Sequence, residues 1–176
     1  MKKHRLYELK EYDKNWKVQF KDKARRIRKI LGNEIIQIYH IGSTSIPGMV
    51  AKPQIDVLVV VKNLKKIKNY YNAMSSNGFT HLGDYTGIGE ECFAEDRKDG
   101  IRLATIHVVP KGHKEISDQL NFRNYLRKHK SAREDYSKLK KKLYSKYAND
   151  YPSYANKKKS KILQLKRLAN KWAKRK

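Results

Sequence analysis

Hydrophobic residues recur along this 176-residue chain with two spacings, one typical of helices and one typical of strands. Between Asn15 and Leu31 they recur every three or four positions, which predicts an amphipathic helix. Asp13 or Asn15 could cap the start of this helix, and Gly32 could end it. The same spacing predicts a second helix over residues 64 to 77 and three more helices from residue 119 onward, with a break at residues 150 to 153.

The middle of the chain has the composition of strands. Runs rich in β-branched or aromatic residues predict strands over residues 34–41, 55–61, 79–85, 91–96 and 101–109. The second run is apolar on both faces apart from Asp56, as expected of a central strand that is covered on both sides. The order of the elements predicts an α+β fold with a mixed sheet, rather than a doubly wound parallel sheet.

Length and composition limit the class of protein. A chain of 176 residues fits a single domain, which we divide into an α/β core over residues 1–112 and a helical C-terminal subdomain over residues 113–176. The longest apolar run is far shorter than the ~20 residues of a transmembrane helix. The N-terminus has no apolar segment behind its positive charges, so we expect no signal peptide, no membrane contact and a cytoplasmic location. The single cysteine, Cys92, excludes an internal disulfide and a cysteine-cluster zinc site, and we expect it to be buried.

The charge of the chain is strongly positive and unevenly distributed. The 42 Lys and Arg residues outnumber the 17 Asp and Glu residues, which gives a net charge of +25. Residues 111–176 contain 22 basic and five acidic residues, a net charge of +17, whereas residues 62–110 have a net charge of only +1. This charge favours polyanions or anionic substrates as partners. The C-terminal helices could contact nucleic acid, or they could simply have solvated lysine-rich surfaces.

The segment most typical of a ligand site is HIGSTSIPGMVAKPQIDVLVV, residues 40 to 60. Gly42 allows the backbone to turn sharply after a strand, so that backbone amides and neighbouring hydroxyls could surround a phosphate. The hydroxyls belong to three consecutive residues, Ser43, Thr44 and Ser45. Asp56 lies early on the next strand, where its carboxylate could hold Mg²⁺ against phosphate oxygens. Since the chain has neither a P-loop nor a Rossmann glycine pattern, this loop and Asp56 form the predicted phosphate site.

This loop and strand resemble the glycine–serine motif and aspartate-containing strand of the polymerase-β-like nucleotidyltransferase superfamily. A longer set of segments resembles the GrpB family over nearly the whole chain: YDKNW, HIGSTSIPG, AKPQIDVLVVV, TIHVV and FRNYLRKH. The resemblance implies a nucleotidyltransferase-like fold, with a short mixed sheet flanked by helices and a basic helical C-terminal portion. It also implies binding of a nucleotide or another phosphorylated small molecule, with nucleotidyl transfer as the reaction class.

The resemblance also implies a metal site. Active members of the superfamily bind two metal ions with two acidic residues spaced two positions apart and a third carboxylate on a neighbouring strand. Here the pair is incomplete, because the residues two positions from Asp56 are Gln54 and Leu58. The third position could be His107, which could bind a metal or transfer a proton, or could be a core histidine bonded to the backbone. Three alternative carboxylates lie in the hairpin region: Glu91, Glu95 and Asp96. These residues could equally be solvent-exposed hairpin residues.

Other polar side chains could complete this site. Lys52 could neutralise a phosphate as a mobile charge, and His40 could touch the phosphates or pair with Asp56. Four residues match recurrent residues of the GrpB family and could close the site from the C-terminal side: Arg123, Arg127, Tyr154 and Lys158. Asn124 stands where the family commonly has an acidic residue, so we assign no carboxylate role there.

Two hypotheses of function follow. In the first, a GrpB-like nucleotidyltransferase binds a nucleotide or phosphorylated ligand with Mg²⁺ and uses Asp56 and His107 as catalytic residues. In the second, a non-catalytic module on the same fold binds nucleic acid through the basic C-terminal helices. Some GrpB-like domains are fused to dephospho-CoA kinase, which suggests a third hypothesis of a regulatory role beside such a kinase. The sequence indicates no particular partner protein.

Overall fold

The computed structural model describes residues 7 to 175, which form one mixed five-stranded sheet and five α-helices. The strands are β1 (Ile35–Ile41), β2 (Ile55–Val61), β3 (Thr80–Gly83), β4 (Glu91–Asp96) and β5 (Arg102–Pro110). The helices are α1 (Asn15–Leu31), α2 (Tyr71–Ser76), α3 (Lys114–Lys128), α4 (Lys130–Tyr147) and α5 (Tyr151–Ala173). None of the described helices is long and apolar enough to cross a membrane.

The sheet has the spatial order β1-β2-β5-β4-β3. The central strands β2 and β5 are parallel, and the other three pairs of neighbouring strands are antiparallel. The predicted α+β fold with a mixed sheet is therefore confirmed. Strand β2 lies between β1 and β5, so the residues at its start, including Asp56, have neighbours on both sides.

Helix α1 covers one face of the sheet. Its buried residues include Trp16, Ile27 and Leu31, which follow the predicted helical spacing. They pack against side chains of β2 and β5 that point to the same face, such as Val57 and Ile106. Burial of these apolar surfaces is the main favourable contribution to folding on this side of the sheet.

The ends of three predicted helices differ from the expectations. The helix predicted over residues 64 to 77 consists of a 3₁₀ helix, Leu64–Tyr70, followed by the short α2, because the two asparagines and two tyrosines at residues 69 to 72 have low helix propensity. Helix α3 begins five residues earlier than predicted, because the His113 side chain accepts a hydrogen bond from the Glu115 backbone N–H. Asp150 caps α5, whose first turn tolerates a proline, so the break before α5 is shorter than predicted.

Helices α3, α4 and α5 pack against the loop that follows β1, on the side of the sheet away from α1. Ile46 and Met49 of this loop are fully buried against Phe122, Leu126 and Leu165. The remaining apolar residues of this sheet face, such as Leu58 on β2, form a separate small cluster. This packing places the loop, the start of β2 and the C-terminal helices around a common polar space.

Candidate functional site

The loop after β1 brings Gly42 against the carboxylate of Asp56. Gly42 has a φ angle of 68°, and a Cβ atom at this position would lie 2.3 Å from Asp56 Oδ2. The Ser45 hydroxyl donates to the Gly42 carbonyl at 2.6 Å, and the Thr44 hydroxyl donates to the Gln54 carbonyl at 3.2 Å. These two hydroxyls therefore hold the shape of the loop beside Asp56.

Neutral polar side chains surround Asp56 on the sheet. Thr105 of β5 lies opposite Asp56 in the β2–β5 pairing. The amide nitrogen of Gln54 donates to Asp56 Oδ1 at 2.8 Å and to Thr105 Oγ1 at 3.0 Å. Because an ionised carboxylate only accepts hydrogen bonds, this contact fixes the orientation of the Gln54 amide. Of the two residues that could complete an acidic pair, Gln54 lines the same cavity as Asp56, whereas Leu58 is fully buried in the core.

This cavity has a volume of about 340 Å³ and lies between the loop, the sheet and the C-terminal helices. Among the described residues, Asp56 is its only carboxylate, whereas four lysines line it: Lys52, Lys140, Lys158 and Lys166. Three tyrosines also line it: Tyr136, Tyr151 and Tyr154. We call this cavity the lysine pocket. Its excess of positive charge favours an anionic ligand.

Lys140 of α4 places a buried amine in the lysine pocket. The residue is only 2% exposed, and its Nζ donates to Ser43 Oγ at 3.1 Å and to the Val50 carbonyl. Within residues 7–175, no carboxylate forms an ion pair with it. Burial lowers the pKa of Lys140 well below its ordinary value, and repulsion from Lys158 and Lys52 adds to this effect.

Lys52 and Lys158 enter the pocket along aromatic rings. Lys52 Nζ donates to the Tyr151 hydroxyl at 2.8 Å, and it lies 4.2 Å from the centroid of the same ring. Lys158 Nζ lies 4.4 Å from the ring centroid of Tyr154, which is almost fully buried. These cation–π contacts hold both ammonium groups in the pocket that Asp56 also lines.

His107 lines the pocket from β5 and pairs with a carboxylate behind it. Its Nδ1 lies 2.7 Å from Oε2 of Glu90, whose side chain is fully buried and accepts a second hydrogen bond from Thr86. Burial alone would lower the pKa of His107, but Glu90 and then Asp56 raise it above its ordinary value. His107 is therefore bonded to a side chain, whereas one alternative from the sequence predicts a bond to the backbone.

Cys92 of β4 is fully buried, as predicted, and lies opposite His107 in the strand pairing. The ligand atoms of Glu90, Cys92 and His107 all lie within 4.8 Å of one another. Burial, reinforced by the charge of Glu90, raises the pKa of Cys92 to about 12, which keeps it a neutral thiol. The three side chains thus form an ion pair beside a thiol, and Cys92 is not activated as a nucleophile.

Arg123 and Arg127 lie on the other side of the loop from the lysine pocket. Arg123 Nη1 donates to the His40 carbonyl at 2.9 Å, and Arg127 Nη2 donates to the Ser45 carbonyl at 2.6 Å. Both arginines line a second cavity together with His40. Burial and the two guanidinium groups lower the pKa of His40 to about 4, so its imidazole is neutral near neutral pH. The structure does not bring these three side chains together with Asp56.

The residues predicted from the sequence therefore divide between two cavities. The lysine pocket is lined by Gly42, Ser43, Thr44, Lys52, Asp56, His107, Tyr154 and Lys158. The second cavity is lined by His40, Thr44, Ser45, Arg123 and Arg127. The three alternative carboxylates lie outside the lysine pocket and bond elsewhere: Glu91 to Tyr71 and His81, Glu95 to Lys23 and Arg26, and Asp96 to Arg102.

Sequence reasoning missed the residues whose role depends on tertiary contacts. Glu90 and Thr105 occupy unremarkable positions in the strand region, and Lys166 lies in a basic helix. For Lys140 one signal was available. It lies four residues after Tyr136, on the apolar side of α4, where a solvated lysine is not expected.

Comparison with known proteins identifies relatives over most of the chain. The profile of the family described as GrpB protein matches residues 7–167. UPF0157 protein BH1888 of Halalkalibacterium halodurans is 37% identical over 164 residues, which cover 92% of this chain and 82% of that protein. UPF0157 protein YqkA of Bacillus subtilis is 33% identical over 97% of this chain, but the chain spans only about half, 49%, of the length of YqkA.

Two solved structures are similar in fold to this chain. The crystal structure of conserved protein GrpB from Enterococcus faecalis matches with a TM-score of 0.89 and 29% identity, covering 94% of this chain and 99% of that chain. The Cid1 poly(U) polymerase matches with a TM-score of 0.52 and 12% identity, covering 79% of this chain and 43% of that chain. At this identity the likeness to Cid1 shows the fold alone, which confirms the expected nucleotidyltransferase-like fold. Together with the family match over almost the whole chain, these relatives show that the chain belongs to the GrpB family.

Proposed function

We propose that the lysine pocket binds a nucleotide or another phosphorylated small molecule. The proposal rests mainly on Lys140, a buried amine that no carboxylate of residues 7–175 balances. Burial without a counter-charge disfavours the charged form of this amine, and a phosphate bound beside it would favour the charged form. The amine bonds to Ser43, which places it directly beside the loop next to Asp56.

The rest of the pocket suits a nucleotide. Lys52 and Lys158 provide positive charges for phosphate oxygens. Tyr151, which is partly exposed, provides aromatic surface suited to contact a base. A volume of about 340 Å³ is within the range of small-molecule sites. Phosphate charge and an aromatic group in one ligand would therefore use both kinds of side chain in the pocket.

The pocket fits one Mg²⁺ at Asp56, and it does not fit two metal ions. Mg²⁺ prefers oxygen ligands and is often bound by one carboxylate together with substrate phosphates and water. Asp56 is the only carboxylate among the described residues that line the pocket, and Gln54 directs an amide nitrogen, which does not bind cations, towards it. A bound Mg²⁺ would neutralise charge on phosphate oxygens beside Asp56. The pocket therefore supports phosphate binding more strongly than two-metal nucleotidyl transfer.

Isothermal titration calorimetry of the purified chain tests this proposal. The probes are the four nucleoside triphosphates and tripolyphosphate, which has the charge without the base, each with and without Mg²⁺. We expect a nucleoside triphosphate to bind, and Lys140→Met to weaken its binding by about tenfold or more, because a charge-assisted hydrogen bond contributes about 1.5–3 kcal/mol. Lys142→Met removes the same charge from an exposed position on α4 and is the matched control.

Asp56→Asn distinguishes the contribution of the metal to affinity from the contribution of the lysines. It should abolish any gain in affinity from Mg²⁺ and leave metal-free binding in place, because the lysines remain. Unchanged binding in Lys140→Met, or no binding of any of the five probes, would contradict the proposal. Binding of tripolyphosphate as tight as that of the nucleotides would show that the pocket recognises the phosphates and not the base.

A further inference from the structure

The cavity on the other side of the loop concentrates positive charge. It has a volume of about 680 Å³, and four basic side chains line it: Lys17, Arg123, Arg127 and Arg133. Within the described part of the chain, no Asp or Glu lines this cavity, and none forms an ion pair with any of the four. We call it the arginine cavity.

Backbone carbonyls, not acidic groups, hold the arginines in place. Arg123 and Arg127 donate to carbonyls of the β1 strand and the following loop, and Arg133 Nη1 donates to the Leu126 carbonyl at 2.9 Å. Carbonyl oxygens fix the direction of a guanidinium group without neutralising its charge. Each guanidinium has five N–H donors, so these contacts leave donors on all three for a ligand. The guanidinium groups are therefore held in fixed orientations, and their planar arrangement of donors matches phosphate geometry.

The like charges in this cavity repel one another. Burial lowers the pKa of Arg123, and repulsion from Arg127 lowers it further. Burial also lowers the pKa of Arg127, and both groups disfavour a charge on His40. A bound anion would relieve this repulsion, and clusters of perturbed groups of this kind are common at functional sites.

Aromatic side chains share the cavity with the arginines. Tyr12, Phe20 and Tyr39 line it, and the Phe20 ring stacks on His40 with 4.7 Å between the ring centroids. Aromatic rings and guanidinium planes are the groups on which unpaired nucleobases stack. A ligand that combines phosphates with bases therefore fits these walls better than an aliphatic phosphate does.

We propose that the arginine cavity binds a single-stranded nucleic acid, with the guanidinium groups on phosphates and the aromatic side chains against bases. A strand is favoured over a free nucleotide because the three arginines belong to a segment, residues 111–176, with a net charge of +17. The site does not depend on the ligand of the lysine pocket. Among residues 7–175, the two cavities share only Thr44, in the loop that separates them.

Fluorescence anisotropy with a short fluorescein-labelled oligouridylate, over a series of KCl concentrations, tests the proposal. The double variant Lys17→Gln/Arg133→Gln removes two charges from the cavity and leaves Arg123 and Arg127 to hold the loop. The matched control, Lys21→Gln/Arg167→Gln, removes two charges from exposed positions outside the cavity.

We expect the cavity variant to weaken RNA binding by about tenfold or more and the control to weaken it much less. The slope of log K against log salt should fall by about 0.7 for each phosphate that the cavity variant no longer neutralises. Equal weakening in both double variants would overturn the proposal, because net charge alone would then attract the strand. No binding by the parent chain would also overturn it.

Adenosine monophosphate as a competitor distinguishes the two sources of phosphate. Weak or absent competition supports a strand as the occupant, whereas competition at the affinity of the strand would overturn it in favour of a free nucleotide. Thermal melting followed by circular dichroism checks the fold of each variant. Should Arg133→Gln not fold, Lys17→Gln against Lys21→Gln retains the test, because both lysines are exposed on α1.

Discussion

The two faces of strands β2 and β5 differ in chemistry. Alternate residues of each strand point to opposite faces, so neighbouring residues contribute to different surroundings. Towards α1 the strands present apolar side chains such as Val57 and Ile106, which are fully buried. Towards the C-terminal helices their early positions present Asp56 and Thr105, and His107 follows on β5. One face therefore contributes chiefly to stability, and the polar end of the other contributes chiefly to a ligand site.

The difference extends to the helices that cover each face. On the α1 side the charged residues Lys23 and Arg26 both form ion pairs with Glu95. On the other side Lys140 is more deeply buried than either but has no carboxylate partner among residues 7–175. Proteins commonly tolerate such locally unfavourable groups where function needs them. The comparison predicts that truncation of the apolar face lowers stability, whereas removal of the buried amine of Lys140 raises it.

The largest effect is expected from Ile106→Ala on the apolar face. Ile106 is fully buried within the cluster that α1 covers, so truncation should lower the free energy of unfolding by about 3 kcal/mol. Urea denaturation at neutral pH measures this loss. Leu163→Ala, at a half-exposed position on α5, is the control and should change stability by less than about 0.5 kcal/mol. A loss below about 1 kcal/mol for Ile106→Ala would contradict the assignment of this face as the main stabilising contact.

An intermediate effect is expected from Gly42→Ala at the polar end. The new Cβ would lie 2.3 Å from Asp56 Oδ2, and the φ angle of 68° disfavours any side chain, so stability should fall by about 2 kcal/mol and ligand affinity should fall with it. Gly87→Ala is a matched control, because Gly87 has a φ angle of 71° but nothing within 4 Å of its Cβ position. Equal losses in the two variants would show that backbone strain alone, and not the contact with Asp56, requires glycine at residue 42.

Elements with strong local signals could be predicted from the sequence. The bounds of α1, β2 and β4 agree with the prediction, because helical spacing, a β-branched run and a following tight turn are all local features. The start of α3 could not be predicted, since His113 is an unusual capping residue. The division of residues 64–77 into two helices depended on a short stretch of low helix propensity inside a regular hydrophobic pattern.

The site was predictable where its residues are close in sequence. Gly42 comes directly after β1, and the antiparallel pairing of β1 with β2 sets Ile41 opposite Asp56, so Gly42 lies against the Asp56 carboxylate. The separation of Arg123 from Asp56 could not be predicted, because the sequence does not determine which side of the loop α3 packs against. Glu90 was missed for a similar reason, since its partner His107 lies on another strand.

The smallest effect on stability, and one of opposite sign, is expected from Lys140→Met. Methionine has a similar length and needs no counter-charge. After subtraction of the cost of leaving the Val50 carbonyl without its donor, the variant should be more stable than the parent by on the order of 1 kcal/mol.

The pH dependence of this gain identifies its cause. Because the pKa of Lys140 is lowered in the folded state, the unfolded chain binds the proton more readily between that lowered pKa and about 10.5. The stability of the parent should therefore rise with pH over this window, and the advantage of the methionine variant should shrink between about pH 7 and about pH 9. Urea denaturation of both proteins at the two pH values measures the difference. An advantage that does not change with pH would mean that side-chain packing, and not the buried amine, distinguishes the two chains, and it would remove the main reason for assigning an anion to this pocket.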